Sequence, residues 1–178
     1  AFEQIPWIRS ALVRREFPNR LSVTLDEFQP VALWGFEGDG KFLSGEGAIF
    51  EVNADDVDSE SLPLLKGPES QAKTVLEMYK FLKPMLAKMD MALDRLELSQ
   101  RGSWTAQLAT GATLELGHGT HQEISDRLQL FFKTLTQVAS RYGRTVTSLL
   151  SADLRYDNGY ALRLRGVSTV VPDGLKKP

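Results

Sequence analysis

The residues best suited to chemistry are His118 and His121, the two histidines of the chain, in the segment "LGHGTHQE". On a helix, a spacing of three turns both imidazoles to one side, where they could share a metal ion. Zinc needs a third and usually a fourth ligand. Glu115, Glu123 and Asp126 are the nearest candidates in sequence. Gly117 and Gly119 flank His118 and favour a loop, so the pair reads as a solvated loop entering a helix, with no metal and no cofactor expected. The glycine-rich "GFEGDGKFLSGEG" (35–47) could suggest a phosphate cradle, but it lacks a GK[ST] ending and carries acids that repel phosphate. It reads as tight turns between short strands. A serine nucleophile needs a base with an orienting partner; the chain has no G-x-S-x-G motif, and its two histidines lie close together. Trp7, Trp34 and Trp104 read as core or hairpin anchors. No catalytic residue is expected.

What remains is the chemistry of the backbone. "ADLRYDNGYALRLRG" (152–166) alternates around Asn158-Gly159, a strong hairpin signal. A two-residue loop would put Leu154 and Tyr156 on the face opposite Leu162 and Leu164. A three-residue loop, Asp157-Asn158-Gly159, pairs Tyr156 with Tyr160. It places Leu154, Tyr156, Tyr160, Leu162 and Leu164 together and Asp153, Arg155, Ala161, Arg163 and Arg165 opposite. A slip of one residue inverts every side chain, so the pattern favours the three-residue loop with Gly159 in a left-handed bulge. If residues 160–166 end the sheet, their free N–H and C=O groups invite another strand. Arg163 and Arg165 could defend that edge, or the edge could receive a partner by strand addition.

These groups need a scaffold. The chain has 178 residues, 42% hydrophobic and 25% charged, which suits a packed core rather than disorder. A net charge of −2 argues against nucleic-acid binding as the main role. Basic residues are dispersed, apart from Arg14-Arg15 and the last hairpin. Cysteine is absent, which suits an oxidising compartment without proving it. No run approaches the ~18 apolar residues of a membrane span. The first residue is Ala, so a fragment or processed product is expected.

Residues 1–10 read as the end of a helix cut short by Pro6, and 11–28 as a hairpin with a Pro18-Asn19 turn. After the break at Gln29-Pro30 come short strands in "VALWGF", "KFLS" and "AIFEV", then an acidic loop over 53–63. "LPLLKGPESQ" leads into a helix carrying Val75, Leu76, Tyr79, Leu82 and Leu86, which Pro84 should bend or end. Three strands follow in "LDRLELSQ", "SWTAQLA" and "ATLELG", the last two meeting at Thr110-Gly111. A second helix, 122–142, carries Ile124, Leu128, Phe131, Leu135, Val138 and Tyr142 and stops at Gly143. The final hairpin spans 146–165, and the tail beyond Gly166 reads as mobile. The fold class is α+β, a mostly antiparallel sheet with two helices packed on one face.

The segment "IPWIRSALVRREFPNRLSVTLDEFQPVALWG" (5–35) resembles the second half of a POTRA domain running into the next domain, and is particularly similar to the FtsQ family of bacterial cell-division proteins. "LPLLKGPE" (62–69), "RGSW" (101–104), "LELG" (114–117), "DRLQLF" (126–131) and "ADLRYDNGYALRL" (152–164) match that family in order and spacing. The resemblance implies a remnant of a POTRA domain over 1–29, an FtsQ-type β-domain over 30–166 and a tail over 167–178. It implies a non-enzymatic scaffold of septum formation. The scaffold would be anchored to the periplasmic face of the inner membrane by a helix upstream of this chain.

It also implies that the last strand receives a strand of FtsB from the FtsB–FtsL pair, with other divisome proteins meeting the POTRA region. The matching positions are Arg155, Tyr156, Asn158, Gly159, Tyr160, Ala161, Leu162 and Leu164. Arg101 would offer a cation to acidic partner residues, and Arg155 and Arg163 would add charge-assisted contacts. Relatives often carry an aromatic near Leu164, so the expectation here is either a differently shaped pocket or an aromatic surface supplied by Tyr160. The alternative is a POTRA-type docking or chaperone module of envelope assembly, which would repeat the hairpin motif; this chain does not. An envelope enzyme using His121 ranks third.

Overall fold

The computed structural model describes residues 7–52, 57–156 and 159–167. Two strands, β1 (Ile8–Glu16) and β2 (Arg20–Glu27), form a separate antiparallel hairpin in which Val13 faces Val23 and Ala11 faces Leu25. The hairpin thus starts earlier than the sequence suggests, with Ile8–Ser10 already extended; the expected helix end over 1–6 lies outside the described residues. At the root of the hairpin Ile8 is buried, the Phe28 N–H donates to the Trp7 carbonyl at 2.9 Å, and Phe28 stacks on Phe50 at 5.2 Å.

The remaining strands are β3 (Pro30–Trp34), β4 (Lys41–Ser44), β5 (Ile49–Glu51), β6 (Leu64–Lys66), β7 (Leu93–Leu98), β8 (Trp104–Leu108), β9 (Thr113–Gly117), β10 (Leu149–Asp153) and β11 (Ala161–Leu164). They make one nine-stranded sheet in the order β11-β10-β9-β8-β7-β6-β3-β4-β5. Five of its eight pairings are antiparallel; β3–β6, β6–β7 and β9–β10 are parallel.

Two of those parallel pairs are closed by helices, α1 (Ala72–Ala87) between β6 and β7 and α2 (His121–Arg141) between β9 and β10. The register runs β6, β7, β9 and β10 in one direction, and both crossovers step the same way along the sheet. A common crossover handedness therefore puts both helices on one face. Their buried stripes meet there in a single core: Val75, Leu76, Tyr79, Leu82 and Leu86 from α1, with Ile124, Leu128, Phe131 and Leu135 from α2. The strands alternate accordingly. In β8, Trp104, Ala106 and Leu108 are buried, while Thr105 and Gln107 between them stay partly open on the far face.

Three expectations change. The segment at 64–66 is a strand, β6, bonded on both sides in the middle of the sheet. Helix α1 runs through Pro84 to Ala87; Pro84 and Lys80 are both exposed, so water can satisfy the carbonyl that the missing N–H leaves free. At the end of α2, Ala139 takes the buried position, with Tyr142 half exposed. Gly143 follows at φ +63, as a helix stop should. The tail from 168 onward lies outside the described residues.

Candidate functional site

Among the described residues, strand β11 is the outermost strand of the sheet, paired on one side with β10. Which of its backbone groups face outward follows from two bonds. The Leu154 N–H donates to the Glu115 carbonyl of β9 at 2.9 Å, so the even residues of β10 face β9 and its odd residues face β11. The Arg165 N–H donates to the Ser148 carbonyl at 2.8 Å, so the odd residues of β11 face β10. With Ser151 opposite Arg163 and Asp153 opposite Ala161, these are the hydrogen-bonded pairs. The N–H and C=O of Leu162 and the N–H of Leu164 therefore point to the open side. The Leu164 carbonyl accepts a turn bond from Val167 at 3.2 Å.

The faces agree with the sequence pattern. Leu154 and Leu164 are buried, and Tyr160 and Leu162 pack against the core from a partly exposed position; Ala161 and Arg163 are exposed. The register differs from the expected one. The ladder closes at Asp153–Ala161, so Tyr156 and Tyr160 do not pair, and Tyr156 is exposed. Two interactions, one local and one tertiary, accompany the early end of the strands. Asp153 Oδ1 accepts the Arg155 N–H at 3.1 Å and turns the chain. The Tyr160 ring meets Phe131 edge to face at 5.1 Å, and its hydroxyl shares a 2.7 Å hydrogen bond with Thr134 Oγ1 on α2. The register kept its parity, which preserved the faces. The expected turn at Asp157 and Asn158 lies outside the described residues, and Gly159, expected in a left-handed bulge, does not show a left-handed φ.

Arg155 forks onto Asp153, Nε to Oδ1 at 2.8 Å and Nη2 to Oδ2 at 2.6 Å. These bonds, with partial burial opposing them, hold the Asp153 carboxyl below its ordinary range, and they raise the guanidinium further. A partner carboxylate reaching Arg155 must share it with Asp153. A group whose pKa is lowered on folding contributes stability above its unfolded value, and that stability is lost as pH falls through the folded one. The thermal midpoint of Asp153→Asn should therefore lie below wild type at neutral pH. The gap should close as pH drops well below about 4. A gap that stays constant from neutral to acid would deny the ion pair this role.

Arg127 emerges as a residue of this site that the sequence did not single out. Its Nη1 donates to the Leu116 carbonyl, its Nη2 to the His118 carbonyl and its Nε to the Glu123 carbonyl, tying α2 to the end of β9. Gly117 permits that approach. It sits at φ +76, and a Cβ there would lie 2.8 Å from Arg155 Cγ and 3.0 Å from Arg127 Nη1. The signal in the sequence was the pair of blocks "LELG" and "DRLQLF", which meet at this contact.

Arg101 sits in the β7–β8 turn, closed by the Gly102 N–H on the Ser99 carbonyl at 2.9 Å. The pairs Trp104–Gly117, Glu115–Asp153 and Asp153–Ala161 bring this turn, the His118 loop, Arg155 and the start of β11 to one end of the sheet. Arg101 and Arg163 are exposed. Among the described residues the ion pairs use Arg9, Lys41, Lys66, Arg95 and Arg155 instead. His121 begins α2 and packs edge-on against Phe81 at 4.9 Å. Glu123 closes a capping box with Thr120, accepting its N–H at 2.7 Å. No three metal-ligating side chains gather among the described residues.

The described residues thus form a two-stranded hairpin and a nine-stranded sheet whose outermost described strand, β11, turns the N–H and C=O of Leu162 away from β10. The family model for the cell division protein FtsQ/DivIB, C-terminal, matches residues 32–155, and that for the POTRA domain, FtsQ-type, matches residues 1–28. The chain belongs to the FtsQ/DivIB family. It is 38% identical to the cell division protein FtsQ of Burkholderia pseudomallei over 94% of this chain and 64% of the relative. The FtsQ of Thiomonas arsenitoxydans is 35% identical over 93% and 61%, and that of Escherichia coli 32% over 90% and 56%. The chain thus spans less than two thirds of the length of these relatives.

Proposed function

We propose that this chain is a non-enzymatic scaffold of bacterial cell division that takes a strand of FtsB, in the FtsB–FtsL pair, along β11. The observation that carries this reading is the outward N–H and C=O of Leu162 on the outermost strand of the sheet. An added strand would gain backbone bonds there. Tyr160 and Leu162 would give it side-chain contact, and Asn158, Gly159 and Ala161 belong to the proposed contact set. Arg101, Arg155 and Arg163, with Tyr156 and Leu164, complete the proposed contact set. Residues 1–29 form the end of a POTRA domain, residues 30–166 the β-domain and 167–178 a tail. The POTRA region is available to other division proteins. The chain works on the periplasmic side of the inner membrane, held by an anchor outside it.

A calorimetric titration with the cognate FtsB periplasmic segment tests this, followed by amide exchange. Binding should slow exchange at Leu162 and Leu164 and leave Ala161 and Arg163, already bonded to β10, little changed. Binding without protection at Leu162 would move the site away from β11. No heat and no protection would reject the partner.

A further inference from the structure

Gly117 and Gly119, the glycines that flank His118, form a slot at the end of β9. They sit at φ +76 and φ +140. A Cβ at Gly119 would lie 2.6 Å from Arg127 Nη2, and one at Gly117 would lie 3.0 Å from Nη1. The Arg127 guanidinium fills this slot, Nη1 on the Leu116 carbonyl and Nη2 on the His118 carbonyl. The same Cβ position on Gly117 lies 2.8 Å from Arg155 Cγ. The Arg127 guanidinium and the Arg155 stem therefore meet over one glycine, a contact that any side chain at 117 would disturb.

Two cations brought this close tend to part. Arg127 is held by three main-chain carbonyls and cannot leave without giving them up. Arg155 is exposed and has a choice. One place for its charge is Asp153, where it is found. The other is a cleft of about 510 Å³ that Arg155 lines together with Glu123 and Asp126 of α2. Arg127 lines the cleft too, and it works against that second place in two ways. Its like charge repels the Arg155 guanidinium. It also offsets Glu123, whose carboxyl is held below its ordinary range first by the Thr120 N–H and hydroxyl and in smaller part by Arg127. Asp153 is thereby left as the better partner. Because Asp153 pairs with Ala161, an Arg155 kept on it stands at the start of β11, and one turned into the cleft would leave that place.

We infer that Arg127 is a positioning residue for Arg155: its charge, seated between Gly117 and Gly119, keeps the Arg155 guanidinium on Asp153 at the β11 end of the sheet. Arg127 spends its own donors on the main chain and acts on a partner through Arg155. The half of this inference that concerns a partner rests on strand addition at β11. The half that concerns where Arg155 lies does not, and either can fail alone.

NMR of the free 178-residue chain reads Arg155 first, through the Nε–H that it donates to Asp153 Oδ1. Arg127→Gln should speed solvent exchange of that proton about three- to fivefold, the weight of one exposed charge contact. Arg127→Lys keeps the charge and should leave the rate within about twofold of wild type. Both variants give up carbonyl bonds, so their thermal midpoints should fall alike, and lost stability cannot explain a difference between them. Equal exchange in wild type and Arg127→Gln would overturn the inference. So would equal acceleration in both variants, which would make Arg127 a structural tie alone. Calorimetry with the cognate FtsB segment then reads the partner. Arg127→Gln should weaken affinity about three- to fivefold, and should change nothing further in a chain that already carries Arg155→Gln. The same loss in both backgrounds would overturn the claim that Arg127 acts through Arg155. No binding by wild type would reject strand addition, and the exchange rates would then decide the place of Arg155.

Discussion

Leu162→Pro should abolish capture of the FtsB segment while the domain stays folded. The Leu162 N–H points away from β10, so proline removes no bond of the existing ladder. Proline is tolerated on an edge strand for that reason, and the loss of a partly buried leucine should cost about 1–3 kcal/mol. The incoming strand loses more. Its carbonyl opposite position 162 is buried without a donor, and the pyrrolidine ring blocks close approach. An unmet acceptor costs about 1–3 kcal/mol beyond the lost bond, so affinity should fall more than about 30-fold. Ala161→Pro is the contrasting variant. Its N–H faces β10 across the Asp153 pair, so the substitution breaks the ladder and should lower the thermal midpoint further than Leu162→Pro does. Calorimetry of both variants with the same segment reads the difference. Wild-type affinity in Leu162→Pro would sink strand addition at β11.

The faces of β11 were legible because a two-residue period survives an error in loop length of an even number of residues. The pairing moved from Tyr156–Tyr160 to Asp153–Ala161 with its parity intact. The end of the ladder was not legible, because it is set by a local contact, Asp153 catching Arg155, together with a tertiary one, Tyr160 reaching α2. The helices were readable from their apolar stripes, since each buries one face against the same sheet. Strand β6 was not. It has three residues, and its partners Leu33 and Leu96 lie about thirty residues away on either side, so no local alternation marks it. Arg127 was missed for a different reason. Its acceptors are main-chain carbonyls, and carbonyls carry no side-chain identity for a sequence to display. The arginines singled out in advance, Arg101, Arg155 and Arg163, fall near one end of the sheet or on its outer strand, but Arg155 comes with its own counter-ion.

The seam between α2 and β11 is where fold and proposed function meet, and Phe131→Ala should show how tightly. Phe131 is fully buried in the α2 stripe and holds Tyr160 edge to face. Truncating a buried phenylalanine costs about 3–5 kcal/mol through lost transfer energy and the cavity left behind, and the aromatic pair adds to that loss. A domain of this size has about 5–15 kcal/mol to lose, and its midpoint falls about 2–4 °C per kcal/mol. A drop of roughly 6–20 °C is expected. Amide protection at Ala161 and Arg163 should weaken with it, because β11 loses its anchor on the helix. Tyr160→Phe separates the two parts of that anchor. It keeps the ring against Phe131 and removes the hydroxyl bonded to Thr134, which should cost only about 1 kcal/mol. Thermal scans and exchange on both variants decide the matter. If Phe131→Ala shifts the midpoint no more than Tyr160→Phe, the seam is not what holds the outer strand, and β10 alone must present β11 to its partner.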